Sequence, residues 1–306
     1  MHQELLNDAL AHGRRYLHEG TVASYIPELK KTDPELLGVC VITTDGTCFE
    51  AGDSGVLFSL QSVCKVLTLL YAIETVGEPA VFARVGMEPT GDSFNSIVRL
   101  EDMLAAKPFN PLINAGAIAV ASILPGTSEE DRFQRVLSYA RRLLGNPTLA
   151  YSESIFRSEK ETGHKNRALG YMMKNSGILE GDVEAHLDLY FKLCSLMATC
   201  RDTAQLAAIL ANDGCDPKTG EKLVSRRALR ITRSLMATCG MYNYSGEFAT
   251  RVGLPSKSGV GGGILSVVPR IMGIGVFGPA LDKRGNSVGG VRVLEYLSDR
   301  LDLSIF

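Results

Sequence analysis

The most apolar stretch of this chain, Gly259 to Ala280, is interrupted by Pro269-Arg270 and is rich in glycine and valine. It lacks the roughly 20 uninterrupted apolar residues that a membrane helix needs, and it reads as two buried strands joined by a turn. A second strand signal lies near the other end. Leu37 to Thr43 holds a valine-rich run, Asp45-Gly46 follows, and Thr47-Cys48-Phe49 resumes it, which predicts a hairpin with a tight turn. Between these ends the pattern is helical. Ser128 caps a predicted helix that buries Phe133, Val136, Leu137, Ala140, Leu143 and Leu144, and Gly145-Asn146 ends it. Further helices are predicted over His186–Ala198, Thr203–Asn212 and Ser225–Cys239, and Asn286-Ser287 opens one through Val291, Leu294 and Leu297. Early strands must therefore pair with late ones around a helical insertion. The expected fold is α/β of the α+β type: an antiparallel sheet flanked by helices, with an all-helical lobe inserted. Residues 1–62 plus 225–306 form the α/β lobe and 63–224 the helical one, within a single domain. No ordered βαβ alternation and no phosphate-binding glycine loop is present, which argues against a parallel nucleotide-binding sheet.

Composition narrows the function classes. The 306 residues are 45% hydrophobic and 22% charged, as in a soluble globular protein. A net charge of -2 with no basic stripe implies no nucleic-acid partner. The N-terminal segment is amphipathic, with Leu5, Leu6, Ala9, Leu10, Tyr16 and Leu17 on one face, and lacks the apolar core of a signal peptide. No membrane association is expected. The seven cysteines, Cys40, Cys48, Cys64, Cys194, Cys200, Cys215 and Cys239, form no CxxC pair and lie at no zinc-ligand spacing from histidine. Reduced thiols, a cytoplasmic location and no metal or cofactor are the expectation.

Chemistry enters at Ser62-Val63-Cys64-Lys65, which opens a long apolar run. A serine and a lysine three residues apart on a helix share one face. A desolvated neutral lysine can take the serine proton, and a helix N-terminus favours the anion that forms. This is the front end of a serine-lysine acyl transferase, the spacing found in penicillin-binding proteins and serine β-lactamases. Taken alone the tetrapeptide is short, and Ser62 could be a simple helix cap. Such a site also needs oxyanion donors. Lys218-Thr219-Gly220 sits among turn formers and reads as a loop, whereas Lys257-Ser258-Gly259-Val260 runs into a strand whose glycines permit close backbone approach. The main-chain N–H of Val260 or a neighbour is the candidate donor. The Ser-Asp-Asn element of β-lactamases is absent, Ser93-Phe94-Asn95 being the nearest look-alike.

Six segments in order, LQSVCK, FNPLINAGAI, SEKETGHKNRALGY, LDLYFKLCS, CGMYNYSGEF and LPSKSGVGGG, closely resemble the motifs of the glutaminase family with the serine β-lactamase-like fold. The resemblance extends from about Tyr25 to Asn286. It implies hydrolysis of L-glutamine to L-glutamate and ammonia through a glutamyl-serine acyl-enzyme, without a cofactor, in a homo-oligomer (dimer or tetramer). By position it implies Ser62 as nucleophile, Lys65 as general base and Tyr242 as the second proton-handling residue. The N–H groups of Ser62 and Val260 would hold the oxyanion. Glu159 would face the substrate ammonium, with Asn114, Asn166 and Tyr190 around the head group and Tyr25 and Gln61 lining the pocket.

Each residue also has a plainer reading. Asn114 could cap a helix, Glu159 could lie on a solvated charged face, Asn166 could satisfy a loop, and Tyr190 could be core. His164 and His186 belong to no site motif and read as structural or exposed. The alternatives to a glutaminase are a non-catalytic amino-acid sensor and another serine-lysine hydrolase of the same fold.

Overall fold

The computed structural model describes residues 1–90 and 107–306; Ser93-Phe94-Asn95 lies outside the described residues. Seven strands are described: β1 (Gly38–Thr43), β2 (Cys48–Gly52), β3 (Phe58–Ser59), β4 (Met197–Ala198), β5 (Ser256–Ser258), β6 (Gly263–Val268) and β7 (Met272–Phe277). Twelve helices accompany them among the described residues. The first six are α1 (Gln3–Arg14), α2 (Cys64–Thr75), α3 (Glu78–Arg84), α4 (Asn114–Ser122), α5 (Glu129–Leu144) and α6 (Glu153–Thr162). The others are α7 (His164–Asn175), α8 (Val183–Cys194), α9 (Cys200–Ala211), α10 (Arg226–Cys239), α11 (Ser245–Arg251) and α12 (Val288–Leu301).

Five strands form one antiparallel sheet in the order β2-β1-β7-β6-β5. The expected pairing of early with late strands is present at its centre, where Gly38 faces Phe277 and Thr43 faces Met272. Alternation along the strands sorts the two faces. Val39, Val41, Ile274 and Val276 pack toward α1 and α12 with Leu6, Ala9, Leu294 and Leu297. Cys40, Ile42 and Phe277 belong to the opposite core, which contains α9. Every residue of α9 except Arg201 is buried, as expected for a helix held between layers.

Two glycines make that contact possible. A Cβ at Gly273 would stand 2.0 Å from the Ala208 nitrogen, and one at Gly275 would stand 2.2 Å from the Cys200 carbonyl oxygen. The backbone of α9 thus rests directly on β7. Its entry is fixed by a capping box in which Thr199 accepts from the Asp202 N–H and Asp202 accepts from Thr199. This signal starts the helix at Cys200 rather than at Thr203. The expected helix His186–Ala198 also differs. Asp182 caps it earlier, accepting from Glu184 N–H, and it stops at Cys194. Leu196 then accepts from Leu60 N–H at 2.8 Å, and Met197–Ala198 pairs with Phe58–Ser59. Pairing with β3 diverts this segment from the helix, and β3 leads straight into Gln61–Val63. The caps Ser128, Ser225 and Ser287 and the left-handed Gly145 lie where their helices were expected to start or stop. Among the described residues, no helix is long and apolar enough to cross a membrane.

The contact of α9 with β7 leaves no room for a methyl group. Gly273→Ala is expected to destabilise the fold by about 3 kcal/mol, at the upper end of ordinary overpacking. Urea unfolding checks this, and an unchanged midpoint would contradict the close approach.

Candidate active site

The β3 strand ends at Ser59, and the chain turns through a short 3-10 segment, Gln61–Val63, into α2. Gln61 holds φ of 47°, a left-handed conformation that costs a non-glycine residue roughly 1–2 kcal/mol. Ser62 follows and is 6% exposed. A second left-handed residue, Tyr242 at φ 57°, opens the turn after α10. Strain of this kind persists only where the surroundings hold it. Here Gly240 supplies the hold, because a Cβ there would stand 1.7 Å from the Ser256 carbonyl oxygen. The end of α10 therefore lies against β5, and Ser258 N–H donates to the Gly240 carbonyl at 3.2 Å.

From that anchor the Tyr242 hydroxyl donates to the Ser258 carbonyl at 2.9 Å and lies within hydrogen-bonding reach of Ser62. Burial pushes the phenol well above its ordinary range, and the Ser62 contact opposes that. On the other side, Gly259 meets the Gln61–Val63 turn: a Cβ there would stand 2.5 Å from the Leu60 carbonyl and 3.3 Å from the Ser62 nitrogen. Among the described residues, neither the Ser62 nor the Val260 N–H has a hydrogen-bond partner.

Lys65 is 1% exposed. Its Nζ donates to Asn114 Oδ1 at 2.6 Å and to the Leu112 carbonyl at 3.4 Å. Burial lowers its pKa to about 8, against weaker upward pulls from Cys194, Cys64 and Glu159. Asn114 is the hub of this side. Its Oδ1 also accepts from the Tyr190 hydroxyl at 3.2 Å, and its amide donates to Asn166 Oδ1 at 3.0 Å. Ile113, not Asn114, occupies the cap of α4, so the Asn114 side chain is free for this network. Tyr190 is buried as a core residue would be, yet its hydroxyl joins the site.

Glu159 is buried, while its neighbours face outward: Glu153 pairs with Arg157 at 2.7 Å and Lys160 with Asp188 at 2.5 Å. Burial holds the Glu159 carboxyl well above the usual range, and Gln61 and Lys65 pull against it. Gln61 lies near this carboxylate, but its Nε2 makes no bond of good geometry. Glu159 Oε2, Ser59 Oγ and Ser258 Oγ are likewise buried without a partner. Buried polar atoms are normally paired, so the unpartnered Glu159 Oε2, on a residue that lines a cavity, marks a place for a polar ligand atom.

A cavity of about 360 Å³ is lined by Tyr25, Ile26, Asn114, Glu159 and Thr162 to Asn166. Tyr25 is 51% exposed overall, but its hydroxyl end sits close to Tyr242 and Glu159, where burial raises its pKa strongly. Beyond Tyr25 a second cavity of about 340 Å³ reaches Val260 and Asn243. A larger cavity of about 590 Å³ lies around Arg233, Ala249 and Phe306 and includes none of these groups, so the chemistry and not the volume locates the site. The structure thus gathers Tyr25, Gln61, Ser62, Lys65, Asn114, Glu159, Asn166, Tyr190, Tyr242 and Val260 into one region.

Other sequence candidates fall elsewhere. His164 is exposed at the cavity mouth, and His186 Nε2 bonds to the Glu180 carbonyl at 2.6 Å. Lys218-Thr219-Gly220 is an exposed turn. The side chain of Lys257 was missed by sequence reasoning. It is fully buried, donates to the Gly240 and Ser258 carbonyls at 3.1 and 2.5 Å, and lies 4.3 Å from the Tyr242 ring centroid. Burial and the nearby Lys65 press its pKa well below the ordinary range. A lysine opening a buried glycine-rich strand was the available signal. Among the described residues, the only grouping of metal-ligand side chains lies on the β1–β2 hairpin, on other elements than this site.

A family model described as Glutaminase matches residues 20–306. Glutaminase 2 of Clostridium perfringens is 51% identical over 304 residues, covering 99% of this chain and all of that protein. A Bacillus glutaminase crystallised in 4.3 M NaCl superposes with a TM-score of 0.91 at 42% identity, covering 98% of each chain. The Bacillus subtilis glutaminase in covalent complex with 5-oxo-L-norleucine, formed by reaction with 6-diazo-5-oxo-L-norleucine, also superposes at 0.91, with 40% identity over 99% of each chain. These glutaminases have the serine β-lactamase-like fold, and this chain shares it. On sequence and structure together, the chain belongs to the glutaminase family.

Proposed function

We propose that the chain hydrolyses L-glutamine to L-glutamate and ammonia through a glutamyl ester on Ser62. The observation that carries this reading is the buried Lys65, whose lowered pKa of about 8 leaves a fraction neutral at physiological pH, three residues from Ser62. Neutral Lys65 takes the Ser62 proton as Oγ attacks the side-chain amide carbon. The resulting oxyanion is held by the free N–H groups of Ser62 and Val260. Tyr242, in reach of Ser62, passes a proton to the departing nitrogen and is reprotonated by the proton that Lys65 took, so the C–N bond breaks, ammonia leaves and Lys65 is neutral again. Water then attacks the ester with Lys65 again accepting a proton, and glutamate is released with Ser62 restored.

The head group is bound by the other half of the site. Glutamine brings an ammonium, and Glu159 is the buried carboxylate that faces the cavity. Binding the ammonium stabilises the ionised form of Glu159 that burial alone disfavours. The Tyr190 hydroxyl and the amides of Asn114 and Asn166 are neutral groups suited to the substrate carboxylate. The site then lies where an α/β lobe (1–62 with 225–306) meets a helical lobe (63–224). The direct packing of α9 on β7 supports a close contact between the two. The reading includes a cytoplasmic location, which seven free cysteines support, and a homo-oligomer, which rests on family likeness.

Two outcomes follow. Because Lys65 accepts a proton only when neutral, kcat/KM is expected to rise with pH through an apparent pKa near 8, being lost below it. A pH profile checks this, and a flat profile between about pH 6 and 9 would contradict Lys65 as base. Glu159→Gln is expected to raise KM for L-glutamine on the order of a hundredfold, as removal of one partner of a buried ion pair does. Steady-state kinetics decide, and an unchanged KM would remove Glu159 from the head-group site.

A further inference from the structure

We propose that Cys40, Cys48 and Glu50 form a binding site for one soft divalent cation of the zinc class, on the β1–β2 hairpin and separate from the catalytic groups. The Sγ atoms of Cys40 and Cys48 are 3.6 Å apart. With a Glu50 carboxylate oxygen, all three ligand atoms lie within 4.8 Å of one another. Zinc–thiolate bonds are ~2.3 Å, so two tetrahedral thiolates on one ion stand roughly 3.8 Å apart. The hairpin already presents nearly that bite. It does so through strand geometry: Cys48 and Glu50 are two residues apart on β2 and share a face, and Cys40 on β1 is paired directly with Glu50. A ligand set spread over two paired strands carries no CxxC signature, which is why spacing along the chain did not disclose it.

The charges also fit. Two thiolates and a carboxylate bring three negative charges against two on the ion. Arg201 of α9 supplies the remaining positive charge, donating Nε to Glu50 Oε1 at 3.2 Å and Nη2 to Oε2 at 2.5 Å. A carboxylate has about four acceptor positions, so this fork leaves two for a metal while fixing the orientation of the group. The β2 strand is the edge of its sheet, and both Cys48 and Glu50 are partly exposed, giving the ion a path in and a fourth position open to solvent.

The test is titration of the full chain with Cd²⁺, in a phosphine reductant, following sulfur-to-cadmium charge-transfer absorption. Saturation at one ion per chain and displacement by Zn²⁺ are expected. Cys48→Ser should weaken binding at least about tenfold and cut the charge-transfer intensity. Glu50→Gln, which leaves both thiols in place, should weaken binding while keeping the band, and Cys215→Ser should change neither. Absence of the band would overturn the site. So would a band that survives in Cys48→Ser and disappears in Cys64→Ser, which would place the ion at the buried Cys64–Cys194 thiol pair (3.9 Å) instead.

Discussion

Removing Lys65 from water is the constraint around which the rest of the site is arranged. A lysine at 1% exposure has its pKa brought from 10.5 to about 8, a differential cost to its charged form on the order of 3 kcal/mol. The apolar length of α2 imposes that cost: Val66, Leu67, Leu69 and Leu70 are all buried with it. Asn114 and the Leu112 carbonyl keep the amine from being left without partners. Lys257, equally buried, is itself pressed well below its ordinary range by burial and by Lys65. The same low-dielectric surroundings raise Glu159, Tyr190 and Tyr242, so the site disfavours charge throughout. In the proposed reaction, a zwitterionic substrate supplies the countercharge.

Geometry is held by backbone as much as by side chains. Gln61 and Tyr242 both sit in left-handed conformations without being glycines. Each is fixed by a close approach that glycine permits, Gly259 against Leu60–Ser62 and Gly240 against Ser256. The register of β3 with β4 sets where the Ser62 turn begins, and β4 is placed by the start of α9, which rests on Gly273 and Gly275. The glycines of the late strands thus connect the sheet to Ser62.

Much of this was legible in the sequence, for identifiable reasons. The broken apolar stretch and the Asp45-Gly46 turn implied early strands paired with late ones, because only such pairing buries both. Ser128, Gly145, Ser225 and Ser287 marked helix ends through local chemistry. The segment from Asp182 to Ala198 was misjudged, because its helix ends where a non-local pairing with Phe58–Ser59 begins. In the site, Ser62 and Lys65 were candidates from their spacing, which taken alone left a simple helix cap open. Glu159, Asn166 and Tyr190 were not separable from surface, loop and core residues until the resemblance singled them out, since burial is a property of the packed chain. The buried Lys257 and the cross-strand grouping of Cys40, Cys48 and Glu50 depend on which strands pair and what covers them, and spacing along the chain shows neither.

A covalent ester at Ser62 is the central step of the proposed reaction, and rapid chemical quenching tests it most directly. The protein would be mixed with excess L-glutamine, quenched in acid during turnover, digested and examined by mass spectrometry. A glutamyl adduct on the peptide containing Ser62, absent from Ser62→Ala, is the predicted result. Steady ammonia release by Ser62→Ala, or an adduct on another residue, would contradict it.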